Sequence, residues 1–457
     1  MKDRCPSWSG PRKSSPDRDG ARVGQGDASR RTPGGPMTRW LVPTTEYAGV
    51  TAYTGGIGRQ FAALLPALTR CGIDVDVAVF ADGELTGTAA AGGIRLVHAE
   101  SSNGVPRLRR IAQRARVVHD LAAAGDYDLV FAPEWAGLAS HLPAGAPLVT
   151  NLVTGARLVG EASGLSARDL PLGHRLPFMR QVAAEARQVR RSAGVIAISA
   201  AMLGRAAEVF DPLPPARVVR NCIDLDAIRA AVETAAAPAA WPGRDGPVVL
   251  FLGRAERRKG IVDAFAAFAD VHLEHPEARL VIAGATADAR FEPSHNDLLA
   301  LLPPTARDRV CWLGHLAPDD VVGAIARADV VVCPSRWEGF GNVALEVKAV
   351  GTPLVVTTGS GFDDFCTDGE DCQMVPPADA QRLAAAIGIA LKQPGWVRTL
   401  ADRARAGIDA FAPDAVAADL LDAIAELDVT RPRAPARESI EFARVDPERR
   451  MDPRDME

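Results

Sequence analysis

The chain has 457 residues, more than one ordinary hydrophobic core organises, so two domains of roughly 150–200 residues are expected. A formal net charge of −5 argues against a general nucleic-acid binder, which is usually basic. Seven cysteines, odd in number and with no CxxC pair, exclude a disulfide framework or zinc ribbon, and no run of about 18 apolar residues offers a membrane span.

Residues 1–36 are rich in Gly, Pro, Ser and Arg and lack an apolar run, which reads as a loose extension rather than a signal peptide. Met37 then precedes the first strand-like segment and is an alternative start. From there short apolar, β-branched runs alternate with helical patterns: RWLV, IDVDVAVF, IRLVH, YDLVFA, PLVTNLV and GVIAIS. That alternation is the mark of parallel sheets with crossover helices. Gly58 to Arg70 reads as a helix with Phe61, Leu64, Leu65 and Leu68 on one face. A second helix over 105–118 puts Leu108, Ile111, Ala115 and Val118 on an apolar stripe and Arg107, Arg110 and Arg114 on another face. Such a helix fits either a solvated element packing inward or a weak peripheral contact with anionic lipid.

The alanine-rich ETAAAPAAWPGRDG, 233–246, carries Pro and Gly and reads as a linker. The series then restarts with PVVLFLG, ARLVIAG, RVCWLG, ADVVVCP and PLVVTT, with a helix from Ile261 to about His275. The expected organisation is therefore an amino domain over 37–232, the linker, a carboxyl domain over 247–428 whose last helices can pack back on the first, and a charged tail over 429–457. The fold class is α/β, with two Rossmann-like, doubly wound parallel sheets. Ligands of such sheets sit at the carboxyl ends of strands, which places the glycine loops of both halves around one interdomain cleft.

Three of those loops invite an anion. TGGIGRQF, Thr54 to Phe61, opens a helix and can present backbone N–H groups to a phosphate, or can be a tight turn with no ligand. It is no dinucleotide fingerprint, because about ten residues separate the strand from Gly55 and the acid expected after the second strand is missing. FLGRAERRKGI, Phe251 to Ile261, ends a buried strand with Arg254 and Lys259, a fork and a point charge able to converge on a diphosphate. Arg257 and Arg258 fit a solvated basic turn. In PSRWEGFGNVALE the turn Glu338 to Gly341 precedes a helix from Asn342 to Val350, so its amides suit an anion. Glu346, two turns in, can accept hydrogen bonds from both hydroxyls of a ribose, and Glu338 from hydroxyls of a sugar.

In order, the motifs are GGIG, RVVRNCIDL, FLGRAERRKG, ARLVIAG, VCWLGHL, PSRWEGFGNVALE, VGTPLVVT, GSGFDDF and DGEDCQMVPP. This run resembles the retaining, GT-B-fold glycosyltransferases of family 4 over nearly all of residues 37–425. The resemblance implies a transferase moving a sugar from a nucleoside-diphosphate donor, UDP foremost, to a hydroxyl acceptor such as a sugar, lipid-linked sugar or natural product. It gives Arg254 and Lys259 the diphosphate, Glu346 the ribose, and Glu338 the donor sugar as the first glutamate of an E-x7-E motif. Gly56, from the amino domain, and Gly314, Gly339, Phe340, Gly341, Asn342 and Val343, from the carboxyl domain, would complete the donor site. Glu134 and Asn151 are the acceptor-side candidates, Glu134 fitting equally a helix N-terminal charge. No metal or other cofactor is implied, since the basic pair takes the metal's place; the cysteines, mostly in apolar surroundings, fit a reducing cytoplasm, with peripheral contact at the inner membrane face as an option. The chain departs from the pattern at Val153, where relatives carry a histidine, and at Asp364, which stands for a glutamate. A GT-B epimerase, a phosphorylase-like enzyme and an inactive glycan- or partner-binding module share the same motifs and stay open.

Overall fold

A computed structural model describes residues 38–429, apart from 88–91, 103–104, 165, 244 and 286–291. The expected extension 1–36 and all of the tail but Val429 lie outside the described residues. In the amino half, β1 (Arg39–Thr44), α1 (Gly56–Arg70), β2 (Asp74–Ala81), β3 (Arg95–Ser101), α2 (Arg107–Ala124), β4 (Leu129–Pro133) and β5 (Leu148–Leu152) are followed by α3 (Ala156–Ala162), α4 (Leu172–Arg191), β6 (Gly194–Ala197), α5 (Ala200–Val209), β7 (Ala216–Val218) and α6 (Leu225–Thr234). The strands form one sheet in the order β3-β2-β1-β4-β5-β6-β7, parallel throughout.

The carboxyl half repeats the plan with β8 (Val248–Leu252), α7 (Ile261–Glu274), β9 (Arg279–Ala283), α8 (His295–Leu299), α9 (Pro304–Arg307), β10 (Val310–Gly314), α10 (Pro318–Arg327), β11 (Val330–Cys333), α11 (Asn342–Val350), β12 (Leu354–Thr357) and β13 (Gln373–Val375). Its order is β10-β9-β8-β11-β12-β13, again parallel. Strands β7 and β13 are additions to the expected set; each is three residues long, too short to leave a period in the sequence. Central strands are buried along their length because helices cover both sheet faces, which is why they read as unbroken Val/Leu/Ile runs.

Two packing facts bear on the site. One apolar cluster is shared by the halves, joining Leu152, Val195 and Ile198 of the amino domain to Val331, Phe340 and Phe362 of the carboxyl domain. After α12 (Ala380–Lys392) and α13 (Pro394–Ala406), the last helix α14 (Pro413–Glu426) returns to the amino domain. There Val416, Leu420 and Ile424 join Phe61, Leu64 and Leu68 of α1 in one core.

On the arginine face of α2, two of the three arginines pair with the protein itself. Arg114 is buried, donating to the Ala81 carbonyl at 3.0 Å and to Asp82 at 2.7 Å, and Arg110 reaches Asp82 at 2.9 Å. Asp82 thus pairs with both guanidiniums, and Arg114 follows the inward-packing alternative expected of this helix. No helix among the described residues is long and apolar enough to cross a membrane.

Candidate active site

At the carboxyl end of β8 the chain turns through a short 3-10 segment, Arg257–Lys259, and enters α7 at Gly260. Gly260 holds φ +76, and a Cβ there would strike the Pro334 carbonyl, so only glycine lets this turn lie against the strand end of β11. The approach brings Lys259 onto Glu338: the ammonium bonds Oε2, and Arg258 Nη1 stands 3.7 Å from Oε1. Ser335 Oγ adds a bond to Glu338 at 3.3 Å. Burial pulls the Lys259 ammonium below the usual lysine range, partly offset by Glu338. Burial pushes the Glu338 carboxyl up, but Lys259 and Arg258 outweigh it and hold it below the usual carboxylate range. The pair is thus ionised and poised beside the cleft.

Arg258 is not the solvated turn residue that its sequence suggested. It is buried, and Glu256, at 3.4 Å, and Glu338 neutralise it. Arg254 and Arg257 are exposed, and Arg254 Nη1 pairs with Glu256 at 2.9 Å.

The GFGN turn is built for close approach. Gly341 caps α11 at φ +106, where a Cβ would enter the Phe362 ring, and no side chain caps the helix. Ala344 N donates to the Gly341 carbonyl at 2.9 Å, and the two amides before it, at Asn342 and Val343, are the ones that suit an anion. Gly339 lies against the amino domain: Ser199 Oγ donates to its carbonyl at 2.6 Å, and a Cβ would strike Thr154 Oγ1. Phe340, expected to offer its backbone to the donor, places its side chain away from the cleft. Its side chain is buried in the core against Phe365, ring centroids 4.9 Å apart, leaving only its backbone for a ligand. Val343 packs partly into the same cluster. Gly314, the last residue of β10, sits in open space at φ +69, its carbonyl accepting from Gly284 N at 2.7 Å.

Across the cleft Gly56 does face this turn, since a Cβ on it would lie 3.8 Å from Asn342 Nδ2. Asn342 Oδ1 in turn accepts from Asn221 Nδ2 at 2.9 Å. The amides around Gly56, however, are already satisfied by an anion of the chain itself: Glu46 accepts from Gly55 N at 2.8 Å and Gly58 N at 2.9 Å. Glu46 was invisible to motif reading because nothing in its spacing marks a cap supplied nine residues upstream. Arg59, the next exposed residue, was missed too. Its Nη1 reaches Glu346 Oε1 at 3.2 Å from the opposite domain.

Glu134 and Asn151, the expected acceptor-side pair, are both buried. Glu134 accepts from Val153 N at 2.6 Å and Thr154 N at 2.7 Å, so it braces the loop that carries Thr154 against Gly339. Burial pushes its carboxyl up to about 7. Asp364 serves the interface: from the carboxyl domain it accepts from Ala200 N at 2.9 Å, at the start of α5. A cavity of about 450 Å³ opens beside Trp337, with Leu158, Glu161, Arg205 and Glu208 on its amino-domain wall. Among the described residues Cys366, Asp371 and Cys372 have ligand atoms within 4.8 Å of one another, but Lys348 already supplies the positive charge on Asp371 at 2.8 Å.

Two Rossmann-like domains, with cations, a helix N-terminus that no side chain caps and two glutamates on the carboxyl side of the cleft, define a two-domain, doubly wound α/β architecture. The comparisons agree: residues 54–227 match the model of Glycosyltransferase Family 4, and 239–407 that of Glycosyl transferases group 1. The chain belongs to the GT-B glycosyltransferase family. Glycogen synthase of Mycobacterium tuberculosis (strain ATCC 25618 / H37Rv) is 35% identical over 238 residues, 50% of this chain and 52% of that one, so the chain matches about half the length of this relative. The solved sucrose-phosphate synthase from Thermosynechococcus elongatus superposes with TM-score 0.66 at 21% identity, covering 85% of this chain and 99% of the other. Anabaena HepE in complex with UDP and glucose gives TM-score 0.59 at 18% identity, covering 85% and 100%.

Proposed function

We propose that this chain transfers a glycosyl group from a nucleoside-diphosphate sugar to a hydroxyl acceptor, with retained anomeric configuration and without a metal ion. The observation that carries the reading is the Lys259–Glu338 pair, backed by Arg258, at the β8 strand end beside the uncapped N-terminus of α11. When the bond between the sugar and the diphosphate breaks, negative charge grows on the departing phosphate oxygen. Cations and helix-end amides fixed beforehand stabilise that charge, usually the largest single term in such catalysis. Arg254 and Lys259 supply the cations, Glu346 takes the ribose, and Glu338 holds Lys259 in place while lying next to the donor sugar. The cations and amides give the leaving diphosphate its counter-charge from protein groups, which supports the metal-free reading.

The acceptor sits in the cavity beside Trp337. Arg205 pairs with Glu161 at 2.8 Å and with Glu208, and Arg157 pairs with Glu161 at 2.9 Å, so the wall is charge-balanced. Such a wall favours an uncharged polyol over a phosphorylated one, with the indole of Trp337 available for a sugar ring. UDP is the nucleotide to try first, in keeping with the UDP held by Anabaena HepE. The test is a thermal-shift panel of UDP-, GDP- and ADP-sugars, followed by turnover with neutral polyols and NMR assignment of the product anomer. A donor at a hundredfold excess over its Kd adds about 2.7 kcal/mol to the folded state. Failure of every nucleotide sugar to bind, or an inverted product anomer, would overturn the reading.

A further inference from the structure

The segment from Tyr53 to Arg59 touches the carboxyl domain at three points in register. The Tyr53 ring lies 6.2 Å from that of His315, Gly56 stands beside Asn342, and Arg59 Nη1 bonds Glu346 Oε1 at 3.2 Å. The two oxygens of Glu346 are not equivalent. Oε1 has Arg59, whereas Oε2 is buried and has no partner. An unpaired buried acceptor is costly, and a donor that reaches it recovers the loss. The other charged groups nearby do not help it: Lys348 on the same helix turns to the Phe365 carbonyl and Asp371, and the remaining titratable neighbour is the buried Cys333 thiol of β11.

We propose that Arg59 is a positioning residue for the nucleotide: from the opposite domain it fixes Glu346 through Oε1, leaving Oε2 aimed at a ribose hydroxyl of the donor. The inference rests on the nucleotide-sugar reading above and deepens it, because it makes the ribose site a product of both domains. Burial pushes the Glu346 carboxyl up and Arg59 pulls it back, so Arg59 also favours the ionised form. Loss of Arg59 therefore weakens nucleotide binding most where Glu346 protonates, at the acid end of the pH range.

The experiment measures the affinity of UDP, GDP and ADP by calorimetric titration at pH 6, 7 and 8. The proteins are the wild type, Arg59→Ala, Arg59→Lys, Glu346→Gln and the double variant Arg59→Ala/Glu346→Gln. Arg59 is an exposed residue, and an unchanged melting temperature of each unliganded variant certifies its fold. Arg59→Ala is expected to weaken the best nucleotide by about threefold to tenfold at pH 7, as for a half-exposed ion pair that also orients its partner. The loss grows at pH 6 and shrinks at pH 8, Arg59→Lys restores part of it, and Arg59→Ala adds nothing once Glu346 is Gln. Wild-type affinity with a wild-type pH profile in Arg59→Ala would overturn the proposal, and so would an equal loss in the Glu346→Gln background. In either case wild-type binding keeps the nucleotide-sugar reading, whereas a wild type that binds none of the three overturns both.

Discussion

Lys259 and Glu338 neutralise each other before any donor arrives, which separates the two cations of the β8 loop by what their removal does. Arg254 is half-exposed, and its bond to Glu256 is a rim contact. Arg254→Ala should therefore melt like the wild type and lose turnover only. Lys259→Ala removes one partner of a nearly buried pair and leaves Glu338 with Arg258 as its counter-charge. It should lose turnover by roughly 10²–10³-fold, in keeping with a lost transition-state donor. It should also lower the urea midpoint, by less than the about 3–5 kcal/mol of a fully uncompensated buried carboxylate, since Arg258 and Ser335 stay beside Glu338. Equal midpoints for the two variants would contradict this difference.

Among the elements, α11 and the loop after β5 set the cleft's geometry. Gly341→Ala puts a Cβ on the Phe362 ring at a backbone angle that L-residues avoid. A shift of the α11 N-terminus follows, and the expected result is a nucleotide affinity at least about tenfold weaker with a stability loss of about 1–3 kcal/mol. Titration against the best nucleotide and urea unfolding read the two effects separately. The loop after β5 is braced by Glu134 and Glu185, the latter accepting from Ala136 N at 3.1 Å and Ala156 N at 2.8 Å. Burial pushes their carboxyls up to about 7 and about 8 respectively. A folded state that holds protons longer than the unfolded chain is favoured at low pH, and that advantage is lost as pH rises through the folded values. Stability should then decline from pH 5 to pH 8, with a slope of up to about 1.4 kcal/mol per pH unit for each proton. Glu185→Gln should flatten the decline of the urea midpoint; an unchanged slope would exclude Glu185 as its source.

The whole molecule is tied together by its last helix and by the core under the cleft. Leu420 of α14 is buried against amino-domain residues such as Phe61 and Leu64. Leu420→Ala should destabilise by about 2–5 kcal/mol, and the loss should appear as faster hydrogen exchange in α1, although position 420 lies in the carboxyl half of the chain. By the same reasoning residues 38–234 expressed alone would leave that face uncovered and fail to give a cooperative melt. A sharp melt for that fragment would show that α14 is dispensable to the amino core.

The sequence by itself determined the alternating elements, because two sheets covered on both faces demand continuous apolar strands and amphipathic helices, and both leave a local period. It also determined the ordered motifs of the carboxyl half, where glycine turns, cations and glutamates lie within a few residues of their helix starts. Strands β7 and β13 escaped it by brevity, and Arg258 by looking like surface. Glu134 and Asn151 carried no mark of their burial. Only the tertiary structure decided which charge meets which across long sequence separations. Glu46 on Gly55 and Gly58 depends on the loop before α1 folding back on itself, whereas Arg59 on Glu346 and α14 on α1 depend on how the two halves close on each other, and no window of neighbouring residues encodes a contact made nearly 300 positions away.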